Sequence, residues 1–328
     1  MKFRPGSRPD TAVIQPECFD APIRVEGISS EMMAGLFHGS AAARAHWVPG
    51  LTVTAGLVKN AEPDEFGEAG ESDKPDTAPY EQNLPDGLAL LRSDAPGNVR
   101  VQPGHALADT LLAQSLYLLL AQQWARAGLL LVHGAAFELD GTGVLALGDK
   151  GAGKSVLTAA ALAAGAKVVS DDWVMVGLDP AGRLRAERLR EFMMLRHGQA
   201  CDQLLTRLRD LRPAPLAKRP KSVFHFHDQP ASIRRRFVPT CNIDRIWLLK
   251  RPPAGRFQPS ARAAASPVQA LAALIQATMP ILFSRHFAQE TVELQKTTNT
   301  IFSNNPLYTV RTGPDLLDHP AKVIAAIL

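Results

Sequence analysis

The sequence is poor in cysteine, in aromatic residues and in net charge, and it has no uninterrupted apolar run of membrane-spanning length. Three cysteines in 328 residues, Cys18, Cys201 and Cys241, are too few and too far apart for a disulfide framework. No CxxC pair or Cys/His zinc spacing accompanies them, so free thiols in a reducing cytosol are expected. The most apolar stretch, residues 111–132, is broken by Gln114, Gln122, Gln123, Arg126 and Gly128. That argues against a membrane span and predicts a buried helix followed by a strand. The opening MKFRPGSRPD lacks the apolar core of a signal peptide, which points to a soluble, cytoplasmic protein. The net charge of +4 is spread along the chain; it suits an anionic ligand without calling for nucleic acid. No aromatic RNA-binding signature is present.

What is present is ordinary globular composition, 46% hydrophobic and 21% charged, at a length that supports a full core and more than one substructure. Residues 59–87 are acidic, rich in Pro and Gly and poor in apolar side chains, and read as a mobile surface loop. Strand candidates flank it at 52–58 and 87–93, so residues 1–104 are expected to form a small α/β region. A helix with leucines at helical spacing is predicted from about Ala106 to Arg126, opening a second domain that spans 105–328.

From Leu129 the pattern sharpens. LLLVHGAAFEL reads as one strand, Asp140-Gly141 as a hairpin turn, and GVLALG as its partner strand. GDKGAGKS follows at 148–155, and a helix then runs from Lys154 to a stop at Gly165. KVVS (167–170) is the next strand and ends in Asp171-Asp172. A turn at 179–182, strands at 222–227, 245–250 and 307–312, helices near 198–210, 266–277 and 281–300 and a terminal helix complete an α/β class.

The glycine-rich segment fits G-x-x-x-x-G-K-[ST] at every required position, with a strand before it and a helix after it. Glycines let successive N–H groups curl around phosphate oxygens, and a helix N-terminus adds unpaired donors and partial positive charge. Gly148, Asp149, Lys150, Gly151, Ala152, Gly153, Lys154, Ser155 and Val156 are therefore expected to cradle ATP. Lys154 would reach the β- and γ-phosphates, and the Ser155 hydroxyl would ligate Mg²⁺.

Two further elements converge on that loop. With Asp140-Gly141 as the turn, paired residue numbers sum to 281, which sets His133 opposite Gly148. There an imidazole can polarise a phosphate oxygen or move a proton; it is equally a histidine satisfied by backbone at a strand end. Asp171 and Asp172 end the strand after the loop helix, where open α/β sheets place their ligands. Neighbours on a strand face opposite ways, so one carboxylate can serve Mg²⁺, directly or through water, while the other accepts the proton of an attacking hydroxyl. One functional and one structural aspartate is the alternative. FHFHD (224–228) places His225 and His227 on one face, a metal pair or simply an amphipathic strand. The basic runs 218–221 and 234–236 read as solvated faces, or as clamps for phosphate or an acidic peptide.

The combination VHGAAFELDGTGVLALGDKGAGKS…VVSDD resembles the catalytic core of HPr kinase/phosphorylase and its relatives. His133 precedes Lys154 by 21 positions and Asp171 follows it by 17, and the resemblance spans roughly residues 129–176. It implies a sheet core like that of phosphoenolpyruvate carboxykinase and transfer of the γ-phosphoryl group of ATP to a serine hydroxyl. It implies Asp171 as general base, Asp172 as Mg²⁺-site or supporting carboxylate, and His133 as a phosphate-side group. The family's downstream Gly-Arg-Asn signature is missing, and RPAPLAKRPK (212–221) stands in its place. That departure points away from phosphorolysis and toward the divergent HPr-kinase-like branch, which includes kinases acting on the C-terminal serine of lasso-peptide precursors.

The function expected is thus an ATP- and Mg²⁺-dependent serine kinase acting on a peptide or protein. A kinase for a small-molecule alcohol such as free serine is the enzymatic alternative, and a nucleotide-gated binding module the non-catalytic one. No nucleic acid or membrane partner is expected, and a homo-oligomer is compatible with the composition.

Overall fold

A computed structural model of the chain describes residues 127–214, 221–250, 259–266 and 305–328, the strands of the amino-terminal region and a few isolated positions. The chain divides into two compact units. One comprises Met1–Pro16, Asp20–Ala127 and Ser284–Glu290; the other comprises Glu17–Phe19, Gly128–Phe283 and Thr291–Leu328.

The first unit carries a seven-stranded sheet of β1 (Lys2–Pro5), β2 (Thr11–Gln15), β3 (Ile23–Glu26), β4 (Val53–Leu57), β5 (Tyr80–Asn83), β6 (Ala89–Ala95) and β7 (Asn98–Pro103). Their order is β1-β2-β3-β4-β7-β6-β5, with every neighbouring pair antiparallel. Ile14, Ile23 and Val25 are buried. The strands predicted at 52–58 and 87–93 are β4 and β6. Tyr80–Asn83 falls in the segment read as an acidic loop, yet it pairs with β6. An edge strand held by its backbone ladder needs no apolar alternation, so composition hid it. The rest of that segment, the helical part of the expected α/β mixture and most of the helix predicted from Ala106 to Arg126 lie outside the described residues. Leu120, Ala121 and Trp124 of that helix are described, helical and buried. The helices expected at 266–277 and 281–300 also lie mostly outside.

The second unit is mixed α/β with several sheets. Its six-stranded sheet has the order β11-β9-β10-β17-β19-β18. The strands are β9 (Ala135–Leu139), β10 (Thr142–Leu147), β11 (Lys167–Ser170), β17 (Arg245–Lys250), β18 (Ala261–Ala264) and β19 (Leu307–Arg311). β10, β17 and β19 run parallel, and β9 pairs antiparallel with both β10 and β11. The carboxyl ends of β10, β11, β17 and β19 therefore meet at one sheet edge. Asp140 (φ 50) and Gly141 (φ 77) both take the left-handed conformation that a two-residue hairpin turn between β9 and β10 demands.

One face of this sheet presents Phe137, Val144, Ala146, Trp247, Leu249 and Val310 to the helical layer, with Phe137 and Trp247 edge to face at 5.9 Å. Helix α1 (Lys154–Ala163) packs there, its run Ala159, Ala160 and Ala161 fully buried. Small side chains let that helix lie close to the strands. It ends as predicted: Gly165 (φ 102) follows the cap, and the Ala166 N–H reaches Ala161 O at 2.9 Å. α2 (Gln199–Arg207), α4 (Asp315–Asp318) and α5 (Pro320–Ile327) lie in the same layer, and α3 (Ala231–Arg234) is a single turn. Among the described residues no helix is long and apolar enough to cross a membrane.

A second sheet has the order β16-β13-β12-β8, from β8 (Leu130–His133), β12 (Trp173–Leu178), β13 (Leu184–Arg188) and β16 (Thr240–Asn242). β14 (Phe192–Arg196) and β15 (Lys221–His225) form a separate two-stranded ribbon.

LLLVHGAAFEL, expected as one strand, is two. Gly134 separates β8 from β9, and the two belong to different sheets. A Cβ at Gly134 would lie 3.1 Å from both Ala146 O and Leu147 Cδ2, so the chain crosses between sheets where only glycine fits closely. Both halves are buried, so no change of hydrophobic period marks the break.

Candidate functional site

β10 runs into a tight turn over 148–153 and then directly into α1. Ala152 N–H closes the turn onto Asp149 O at 3.0 Å. A Cβ on Gly148 would sit 2.8 Å from Leu249 O, so glycine there lets the loop pass against β17. Gly153 caps the helix at φ 98, a conformation other residues reach only with strain. The first intrahelical bond of α1 is Leu157 N–H to Gly153 O at 2.8 Å. The N–H groups of Gly153, Lys154, Ser155 and Val156 precede it and have no helical acceptor. Such a turn at a helix N-terminus is chemically suited to an anion.

Lys154 is only 6% exposed and folds back over the turn, its Nζ donating to Gly148 O at 2.6 Å and Asp149 O at 3.2 Å. Burial lowers its pKa, opposed by the charges of Asp172, Asp149 and Asp171. Asp149, Lys150 and Gly151 form the exposed crest of the turn, while Ala152 is buried beneath it.

The aspartate pair sits at a joint between the six-stranded and four-stranded sheets of the second unit. β8 and β9 change sheet at Gly134; β11 and β12 change sheet at Asp171-Asp172. The Gly134 N–H donates to Asp172 O at 2.7 Å and ties the two crossings together. Ser170 Oγ braces the corner, donating to Trp173 O at 2.8 Å and accepting from Asp172 N–H at 3.3 Å.

The two carboxylates live in different environments, though they form a corner between β11 and β12 and do not alternate along one strand. Asp171 is buried at 3% exposure. Its Oδ2 accepts the Met194 N–H at 3.1 Å, and the Ser155 hydroxyl lies on the same carboxylate. Its Oδ1 is buried without a hydrogen-bond partner within bonding geometry. Burial, and next the charge of Asp172, push its pKa up to about 7. Burial also acts to raise Asp172, but the His133 hydrogen bond and the Arg190 charge outweigh it and hold that group below the usual carboxylate range. Two adjacent carboxyls with pKa values driven apart are a recurrent device for dividing proton transfer from charge stabilisation.

The hairpin register holds from Thr142↔Leu139 to Ala146↔Ala135, summing to 281 throughout. It stops there. His133, expected opposite Gly148, instead pairs with Trp173 in the second sheet. Its Nε2 lies 3.1 Å from Asp172 Oδ1, and its ring lies 5.6 Å from that of Trp173. The sheet crossing at Gly134 is the physical reason: the ladder ends before it can carry His133 to the loop.

Arg190, which pairs with Asp172 Oδ2, was not singled out from the sequence. It follows a strand in an Arg-rich run, RLRE, whose charges carry no periodic hint of direction. The His225–His227 pair lies ring to ring at 5.6 Å, but among the described residues no group of three metal-ligating side chains forms.

No protein-family model matches the sequence, and no curated protein matches it. Among solved structures the chain is similar to the Hpr(Ser) kinase/phosphatase from Coxiella burnetii, at 11% identity and a TM-score of 0.31, over 60% of this chain and 94% of that one.

Proposed function

We propose that this protein is an ATP- and Mg²⁺-dependent kinase that transfers the γ-phosphoryl group to a hydroxyl, serine in a peptide or protein being the leading acceptor. The observation that carries the reading is the placement of Asp171. A buried carboxyl with its pKa near 7 stands beside the Ser155 hydroxyl in the first turn of α1, where the glycine-rich turn ends. A general base works best with a pKa near the working pH, and a binding module has no use for one.

The residues fit a divalent cation. The Ser155 hydroxyl offers a hard oxygen donor, the Asp171 Oδ1 near it lacks a hydrogen-bond partner, and Asp172 adds negative charge beside them. Mg²⁺ needs few protein ligands when phosphate and water complete its shell. Ser155 would hold it, with Asp172, whose two oxygens already face His133 and Arg190, supporting it through water, and when bound it would supply charge neutralisation at the phosphate oxygens. The turn from Gly148 to Val156 supplies N–H donors to the phosphates. Lys154 exchanges its two backbone carbonyls for phosphate oxygens. Asp171 accepts the hydroxyl proton of the acceptor, and His133 and Arg190 fix Asp172 so that its charge stays at the site.

The test follows label from γ-labelled ATP into serine-containing peptides and, in parallel, into free serine. Asp171→Asn keeps the shape of the group but cannot take a proton. Transfer should fall by about 10²–10⁴-fold with nucleotide affinity little changed. Equal turnover by the variant would remove Asp171 from the mechanism. Tight ATP binding with no acceptor labelled would make the chain a nucleotide-gated module.

A further inference from the structure

The β14–β15 ribbon lies against the aspartate pair, because the β14 backbone at Met194 is what Asp171 Oδ2 bonds. Cross-strand partners share a face, so the ribbon has two. Met193 and Phe224 enter the hydrophobic core on one face, together with Leu195. The other face carries Met194, Val223, Arg196 and Lys221. Arg196 stands directly opposite Lys221 in the ladder. Two cations at a directly opposed position repel, and such pairs destabilise a sheet.

Among the described residues neither is neutralised locally. No carboxylate within ion-pair distance of Arg196 or Lys221 occurs among the described residues. The pair sits two residues beyond Met194, about 7 Å along the strand. That spacing is about the length of an extended arginine or lysine side chain. Lys221 is also near enough for its charge to act on Asp171, Asp172 and Lys154. The ribbon is anchored at this end by Ser222 Oγ and His197 Nε2, 3.1 Å apart.

Resting on the kinase reading, we propose that Arg196 and Lys221 form an anion subsite beside Asp171, selecting an acceptor that carries a carboxylate close to its reacting hydroxyl. A carboxylate held between the two cations relieves their repulsion. It also sets the neighbouring hydroxyl next to the group that takes its proton. A neutral acceptor gains neither effect. The carboxylate can belong to an acidic side chain flanking a serine in a peptide, or to a small hydroxy-acid. The chemistry recognised is the same.

Two matched pairs of probes separate these sources: a blocked peptide Gly-Asp-Ser-Asp-Gly against Gly-Asn-Ser-Asn-Gly, and free serine against serinamide. Calorimetry on the full chain, saturated with a non-hydrolysable ATP analogue and Mg²⁺, gives affinities without requiring turnover. The acidic member of at least one pair should bind about tenfold more tightly, the usual weight of a charge-assisted contact. Lys221→Gln and Arg196→Gln should each collapse that preference, and Lys221→Arg should keep it. Melting curves establish that each variant is folded. Equal binding within both pairs, no binding of any probe, or a preference that survives both neutral substitutions would overturn the subsite. A preference that disappears as expected, in a protein that transfers no phosphate, would retain the subsite and discard the kinase.

Discussion

His133 and Asp172 are partners across a sheet junction: the imidazole Nε2 lies 3.1 Å from the carboxylate Oδ1, while Arg190 holds the other oxygen. The contact joins the end of β8 to the corner between β11 and β12.

Its thermodynamic consequence has a definite sign. A carboxyl whose folded pKa is depressed contributes stability that is present above its ordinary value of 3.8 and is lost as pH falls through the folded value. Removing the imidazole in His133→Ala leaves Arg190 as the main counter-charge. The variant should be less stable than wild type at pH 7, and the gap should close in acid below the folded pKa of Asp172. Urea unfolding across that range checks it. A gap independent of pH would mean that His133 acts by packing alone.

Asp171 has the opposite sign. Its folded pKa of about 7 exceeds the ordinary 3.8, so between those values the unfolded chain is ionised while the folded one stays protonated. Stability from this group therefore falls as pH rises from 4 to 7, and the loss is complete above about 7. Asp171→Asn should be more stable than wild type at pH 8, by on the order of a few kcal/mol, and equal to it at pH 3. In turnover assays the same group predicts a wild-type rate that rises with pH through about 7, a limb the variant lacks.

Lys154→Met keeps the aliphatic stem in its buried slot and removes the ammonium that now bonds Gly148 O and Asp149 O. Calorimetric titration should show Mg-ATP affinity reduced by about tenfold or more, since a charge-assisted contact to phosphate is lost. The melting temperature should change little. Unchanged affinity would exclude the turn as the nucleotide site.

Gly143→Ala tests the fold independently of chemistry. A Cβ there would meet Asn242 O at 1.7 Å, and the Gly143 N–H donates to Asp244 Oδ2 at 2.7 Å. Both strands would have to separate, so the variant should lose roughly 1–3 kcal/mol or more, as overpacking does. Thermal melts monitored by circular dichroism read the loss directly; a wild-type melt would mean that β10 and β16 do not approach this closely.

The parts of the site that could be read from the chain are those encoded locally. Asp140-Gly141 dictates a hairpin turn, and the register of β9 and β10 follows by counting. Gly153 and Lys154 fix where α1 begins, and Gly165 where it stops. What could not be read is the change of sheet at Gly134, because Leu131, Val132, Ala135 and Ala136 are buried on both sides of His133-Gly134 and the apolar run resumes unchanged beyond it. That one event moved His133 from the loop to Asp172. Arg190 was equally hidden: it reaches Asp172 from the stretch after β13, whose approach is settled by long-range pairing. Lys221 was legible only as part of the basic run 218–221, a solvated face or an anion clamp, with nothing to set it opposite Arg196.

The bond from Gly134 N–H to Asp172 O joins the two points at which the chain leaves one sheet for another. The same two sheets meet again where Gly143 of β10 passes against Asn242 of β16, so the junction is fixed at more than one place. Groups at the junction then keep their spacing through small motions of either sheet. Asp171 and Asp172 occupy that junction, while Lys154 rides on one sheet and Arg190 extends from the other. The distance between cation and carboxylate is therefore set where the two sheets meet and not within the core of either.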